Sequence, residues 1–403
     1  MKNLIVLASL LLGILFSTQA QTINTEALDA YWKMVEPLKQ GDSLSVETWN
    51  NFLQLKGNQI YIKNQGFDKA YLANLRKAVE VVYMPVYASV VAERMKKPFE
   101  YWLTYKVNQY KVHEVELKAY QQRLATASYQ EAIYTNAWAW LPKRLHQKAP
   151  NLTIFLLGIE NDAIASGDVL VFTLWAAYNN DKLKEGILAG HEMHHALRKP
   201  VAFQQVAEQD KGLLYTLNSI LNEGSADMID KKYGIINKDK VPTEFDYEDF
   251  LLGKSDSIIQ KIDENITRMA QSNGQEYQSV KYYRNLVKGT SGHCPGYYMA
   301  DVIVRNGLKN KMLENIQNPF AFVYLYNQAA KKDHAKPPVF TEISISYLKG
   351  LEKKYWLDPR TTKKVANSPA GYLPNALVIS NLKLIVIFRP VVTITPSCGL
   401  ICH

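Results

Sequence analysis

The pentapeptide His191-Glu192-Met193-His194-His195 holds the side chains best equipped for chemistry in this chain. On an α-helix, residues four apart lie one turn from each other on one face. His191 and His195 can therefore reach one metal ion while Glu192 stands beside it. H-E-x-x-H is the minimal apparatus for holding a zinc ion and activating water next to it. The surrounding residues fit a helix: Leu183, Ile187 and Leu188 are spaced for a buried face, Asp181 is the expected N-cap, and Pro200 closes the segment. His194 points roughly 100° away from His195 and is expected in a supporting or surface position.

A catalytic zinc ion needs a third protein ligand and one open position. The spacing H-E-x-x-H-x-x-G-x-x-H is excluded, because Arg198 stands where its glycine belongs and Val201 where its histidine belongs. The next apolar-periodic segment, Leu213 to Lys232, carries Asn222-Glu223-Gly224-Ser225-Ala226-Asp227. Glu223 and Asp227 share a helix face. One carboxylate can complete the metal site while the other accepts the second ring N–H of a ligating histidine, which fixes its tautomer.

With these motifs, roughly residues 150 to 235 resemble the gluzincin clan, the thermolysin-like and aminopeptidase-like zinc metallopeptidases whose third ligand is the Glu of an Asn-Glu-x-x-x-Asp helix. The chain is most similar to secreted bacterial zinc-dependent peptidases known mainly from their sequences. The resemblance implies His191, His195 and Glu223 as ligands of one Zn2+, Glu192 as general base and Asp227 as a histidine's partner. It implies a peptide or protein substrate. The stretch Asp230-Lys231-Lys232-Tyr233-Gly234 is also similar to the aspzincin pattern, which leaves an aspartate as the alternative third ligand. The spacer from His195 to Glu223 is longer than in thermolysin-like enzymes, so a loop near Phe203 to Gly212 is expected between the two helices.

Hydrolysis at such a site proceeds by zinc lowering the pKa of water and polarising the scissile carbonyl, with Glu192 moving the proton to the leaving amine. A donor for the tetrahedral oxyanion is also required, and gluzincins take a tyrosine or histidine from later in the chain. Candidates are His293, Tyr297 and Tyr298, in a Gly- and Pro-rich turn at the start of a helix. The Gly-Ala-Met-Glu-Asn strand of aminopeptidase-type gluzincins is absent, which favours an endopeptidase. The same ligands would also serve a hydrolase of non-peptide amides or esters, or a catalytically silent zinc-binding scaffold.

These side chains need a scaffold. Before residue 150 the pattern is helical, with Ser45 capping the run Val46 to Leu53, Asp68 capping the run that follows it, and further helices over Tyr105 to Leu124 and Tyr129 to Leu141. Thr153 to Leu157 and Asp168 to Phe172 are β-prone runs joined by the polar stretch Glu160 to Gly167. One of these two strands is expected to pair with an extended substrate. After Gly234 the chain returns to helix. The expected fold class is α+β and mostly helical: a zincin-like core with a small mixed sheet and an N-terminal helical region. The expected divisions are a signal peptide over 1–20, a helical region over 21–148, a catalytic region over 149–374 and an apolar tail over 375–403, the tail read as terminal strands or a sorting signal.

With 403 residues and 47% hydrophobic composition, the chain can bury a full core. Lys2, the apolar run Leu4 to Phe16 and Thr18-Gln19-Ala20 form a signal-peptide pattern, so export to the periplasm or beyond is expected. No later run is apolar enough to span a bilayer. The formal charge of +9 is scattered without dense blocks or a recognition motif, which argues against a nucleic-acid partner. The three cysteines, Cys294, Cys398 and Cys402, permit at most one bridge within the chain.

Overall fold

The computed structural model describes residues 22–199, 202–203, 205–287, 291–358 and 377–378. The segment read as a signal peptide, Pro200 and, apart from Leu377–Val378, the C-terminal tail with Cys398 and Cys402 lie outside them. The strands are β1 (Thr22–Asn24), β2 (Thr153–Leu157), β3 (Ala163–Ser166), β4 (Val169–Thr173), β5 (Ala202–Phe203) and β6 (Leu377–Val378). The helices before the main sheet are α1 (Glu26–Val35), α2 (Val46–Leu53), α3 (Lys56–Gln65), α4 (Lys69–Tyr83), α5 (Ala88–Met95), α6 (Trp102–Val112), α7 (Glu114–Leu124) and α8 (Ala127–Trp138). After it come α9 (Leu174–Asp181), α10 (Ile187–Arg198), α11 (Glu208–Ile236), α12 (Glu248–Leu252), α13 (Ser255–Gln271), α14 (Val280–Leu286), α15 (His293–Arg305), α16 (Lys309–Glu314), α17 (Pro319–Ala330) and α18 (Glu342–Tyr355). The protein is α+β and mostly helical with a small mixed sheet, as expected.

Local chemistry sets many of these boundaries. Ser45 accepts a hydrogen bond from the Thr48 N–H and Asp68 from the Tyr71 N–H, as the sequence predicts. The expected helix from Tyr105 to Leu124 is broken at His113 into α6 and α7. Asp181 does not cap the metal-motif helix. It ends α9, and its carboxylate accepts the N–H of Gly186, which starts α10 with a left-handed φ of 70°.

The main sheet has the order β1-β2-β4-β3, with β1, β2 and β4 parallel and β3 antiparallel to β4. Helices α1 and α3 pack on β2, while α9 and α10 pack on β4. Covered strands of this kind read as continuous apolar runs, which is why β2 and β4 were legible. The expectation that one of them takes an extended substrate is corrected: each is flanked by strands on both sides, so neither has an open edge. Among the described residues the open edges of the sheet belong to β1 and to β3, the latter inside the stretch read as a polar connection. A two-residue hairpin loop, Gly167-Asp168, turns β3 into β4, and Gly167 supplies the required positive φ of 57°.

Helix α11 runs through the middle of the molecule, and from Leu213 to Lys231 most of its residues are buried. It starts at Glu208, so the loop expected up to Gly212 is shorter than predicted. Against it lies α15, brought to backbone contact by paired glycines. A Cβ on Gly224 would stand 2.2 Å from the Gly296 carbonyl oxygen, and one on Gly296 would stand 2.4 Å from the Ile220 oxygen. No side chain fits in that seam. Gly224→Ala is expected to push α15 away, costing about 1–3 kcal/mol as overpacking does and more if the helices separate. Thermal unfolding checks it: a melting temperature equal to the parent's would contradict the tight seam. β5 pairs with β6 antiparallel, so Leu377–Val378 of the apolar tail form a strand beside the connection from α10 to α11.

Candidate metal centre

Polar side chains buried on one helix would be costly without partners. On α11 these include Asn218, Asn222, Glu223, Ser225, Asp227, Asp230 and Lys231, all buried. Their partners come mainly from α10 and α15. Helix α10 crosses α11 with His191, Glu192 and His195 buried, and α15 contributes His293 from its first turn.

Three ligand-type atoms converge. His191 Nε2 and His195 Nε2 are 3.0 Å apart, and Glu223 Oε2 lies 3.2 Å from His195 Nε2 and 3.8 Å from His191 Nε2. A point equidistant from all three is roughly 2 Å from each, the length of zinc bonds to imidazole nitrogen and carboxylate oxygen. Glu223 Oε2 is buried without a hydrogen bond. Four buried carboxylates, Glu192, Glu223, Asp227 and Asp230, face two buried cations, Arg198 and Lys231. With neutral imidazoles the centre lacks two positive charges, the charge of one divalent ion. The residues present therefore fit zinc.

The supporting bonds differ in one respect from the sequence reading. Asp230, not Asp227, accepts from His191 Nδ1, at 2.9 Å. Asp227 instead accepts from His293 Nδ1 through both oxygens, at 2.8 and 2.9 Å, and stands 3.8 Å from His191 Nδ1. Helical rise explains the split: i+4 and i+7 from Glu223 lie on one face but a turn apart, so each meets a different imidazole. His191, Asp227 and Asp230 also form a second cluster that could hold a metal. Its carboxylates are already engaged by His293 and Lys231, which makes the His191, His195 and Glu223 triangle the better cradle.

Electrostatics agree with this assignment. Burial works against charge on His191, but the Asp230 carboxylate outweighs it and lifts the imidazole to about 10, the mark of a site that attracts positive charge. Glu223 is held well below the usual carboxylate range: burial opposes ionisation, and the imidazoles of His195 and His293 overcome it. His293 is raised, with Asp227 and then Glu223 prevailing over burial. His194 is fully buried rather than at the surface, and burial together with His195 and Arg198 keeps it neutral.

The three oxyanion candidates have different surroundings. His293 Nε2 is 3.5 Å from Glu223 Oε2, at the centre itself. Tyr298 hydrogen-bonds Asp256 on α13, and burial with that carboxylate pushes its hydroxyl up to about 12. Tyr297 is packed in the core, where burial and Asp301 raise it, with Asp227 contributing less.

Several residues escaped the sequence reading. Arg198, noted only as a mismatch to another motif, is fully buried; it donates to Asn222 Oδ1, to Asn218 Oδ1 and to the Ile316 carbonyl. Asn222 in turn donates to Glu223 Oε1 at 3.1 Å, so Arg198 fixes the carboxylate from behind. Its position three residues past His195, on the metal-motif helix, was the available signal. Phe250 on α12 covers His293, ring to ring at 5.9 Å. Cys294 is buried against Ser255 and carries no nucleophile's setting.

An α+β fold with a buried centre of two histidines and a glutamate on crossed helices defines a candidate metal-dependent hydrolase. A family model described as "Putative zinc dependent peptidase (DUF5700)" matches residues 49–335, well over half of the chain, and the chain belongs to that family. Searches of curated proteins and of solved structures found no match.

Proposed function

We propose that the protein is an exported zinc peptidase that cleaves extended polypeptide segments, with Glu192 as general base. The observation that carries this reading is the triangle of His191 Nε2, His195 Nε2 and Glu223 Oε2. Zinc held there would supply Lewis acidity toward the scissile carbonyl and the attacking water. Glu192, buried beside His191 on α10, takes the water's proton and delivers it to the leaving amine. Asp230 holds the His191 tautomer through Nδ1, and Arg198 with Asn222 keeps Glu223 aimed inward. His293, oriented by Asp227, directs its Nε2 at the place where negative charge develops and donates to the oxyanion.

Of the sheet's two edge strands, β3 is the one packed by the metal-motif helix, and its edge gives the substrate a place. Extended polypeptide can add to such an edge through main-chain hydrogen bonds, with little demand on side-chain identity. Helix α10 packs directly against β3, so a strand added there runs past the metal motif. Export rests on the signal-peptide pattern at residues 1–20. No helix among the described residues is long and apolar enough to cross a membrane.

Chelation tests the reading. The zinc-loaded chain is expected to cleave an unfolded protein, to lose that activity and melt at lower temperature after chelator treatment, and to regain both on addition of one zinc ion per chain. Zinc binding and stabilisation with no cleavage would favour the silent scaffold, and cleavage confined to non-peptide amides or esters would favour the other hydrolase.

A further inference from the structure

Lys231 is buried near the C-terminal end of α11, where an ammonium needs strong compensation. Its Nζ donates to Asp230 Oδ2 at 2.7 Å, while the other oxygen of the same carboxylate takes His191 Nδ1. On its far side the ammonium lies 4.3 Å from the centre of the Tyr247 ring. A cation gripped between a carboxylate and an aromatic face is fixed in position as well as in charge. Tyr247 is itself anchored. Three residues before it, Glu244 accepts from the Tyr105 hydroxyl at 2.8 and 3.0 Å and from Trp175 Nε1 at 3.1 Å; three residues after it, Phe250 packs on His293.

Asp230 Oδ1 is shared between His191 Nδ1 and the Lys231 backbone N–H at 2.8 Å, so it is the second oxygen that fixes the plane of the carboxylate. Asp230, tied by its second oxygen to a clamped ammonium, keeps Oδ1 on His191 Nδ1 and leaves Nε2 directed inward. We propose that Lys231, clamped under Tyr247, is a positioning residue for the metal ligand His191, acting through Asp230. This rests on the zinc reading above. Packing alone does not call for a lysine here, since an apolar side chain of similar length would fill the space without a buried charge. The segment from Glu244 to Phe250 thus braces both histidine–carboxylate pairs, one through Lys231 and one by direct contact.

The test compares the full mature chain with Lys231→Met, Lys231→Arg, Tyr247→Leu and Tyr247→Phe. Two quantities are read: zinc affinity by competition with a chelator, and the proton NMR signal of His191 Nδ1–H in the zinc-loaded protein. Lys231→Met is expected to weaken zinc binding about tenfold, the lower end for loss of an outer partner of a ligand, and to shift or broaden the Nδ1–H signal. Lys231→Arg should recover part of the loss. Tyr247→Leu should show a smaller loss of the same kind, and Tyr247→Phe should restore it by returning the ring face. Parent affinity and an unchanged signal in Lys231→Met would overturn the proposal. If that variant does not fold, equal zinc affinity in Tyr247→Leu and the parent overturns it instead. A parent chain that binds no zinc overturns the zinc reading itself, an outcome distinct from either.

Discussion

Glu192→Gln is expected to bind one zinc ion per chain, as the parent does, and to lose turnover by about 10²–10⁴-fold, the range for removal of a general base. The substitution keeps size and hydrogen-bonding capacity but not the ability to take a proton. Glu192 is buried next to His191, and its charge is among those that raise that imidazole. The ligand atoms of His191, His195 and Glu223 are untouched, so metal content should stay. Metal analysis beside steady-state cleavage of an unfolded protein checks both halves. Turnover at the parent rate would refute the assignment of Glu192, and loss of zinc would mean that it holds the site together instead.

His293→Ala should lower kcat by about 10²–10³-fold, the effect of removing one oxyanion donor, with most zinc retained. The histidine stands beside Glu223 but outside the tightest triangle, and its Nδ1 is committed to Asp227. Asp227→Asn should move turnover in the same direction by less, because the imidazole remains but loses its orientation and the charge that favours its protonated form. Tyr298, bonded to Asp256, gives the contrast: Tyr298→Phe should leave kcat within about twofold, since its hydroxyl is aimed away. Kinetics on the same substrate check all three. A loss in Tyr298→Phe larger than in His293→Ala would reverse the assignment.

What was legible follows from periodicity and local chemistry. The metal-motif helix, the Asn222 to Asp227 helix and the strands β2 and β4 are set by spacing and by apolar runs. Each shows in a window of a dozen residues. Strand β3 was missed because Ala163-Ile164-Ala165-Ser166 is short and sits between polar residues, although Ser166-Gly167-Asp168-Val169 carried the hairpin signal. That oversight also hid which strands stand at the edge, because edge and centre are properties of pairing order and no strand reveals its neighbours alone.

The site divides in the same way. His191, Glu192, His195 and Glu223 announce themselves by spacing. The partner of each histidine does not, since Asp227 and Asp230 lie on one face and only the docking of α15 decides which takes His293. That docking depends on Gly224 and Gly296 meeting across the seam, a contact between residues 72 positions apart. Arg198, Lys231 and Tyr247 act through other residues; only Arg198, three residues past His195, carried a local signal.

The central claim is that one zinc ion sits among His191, His195 and Glu223. Crystals of the full mature chain, measured at energies just above and just below the zinc absorption edge, test it most directly. The account predicts a single anomalous peak within bonding distance, about 2.0–2.2 Å, of His191 Nε2, His195 Nε2 and a Glu223 oxygen. A zinc-loaded protein with no peak there, or with its peak between Asp227 and Asp230, would contradict it.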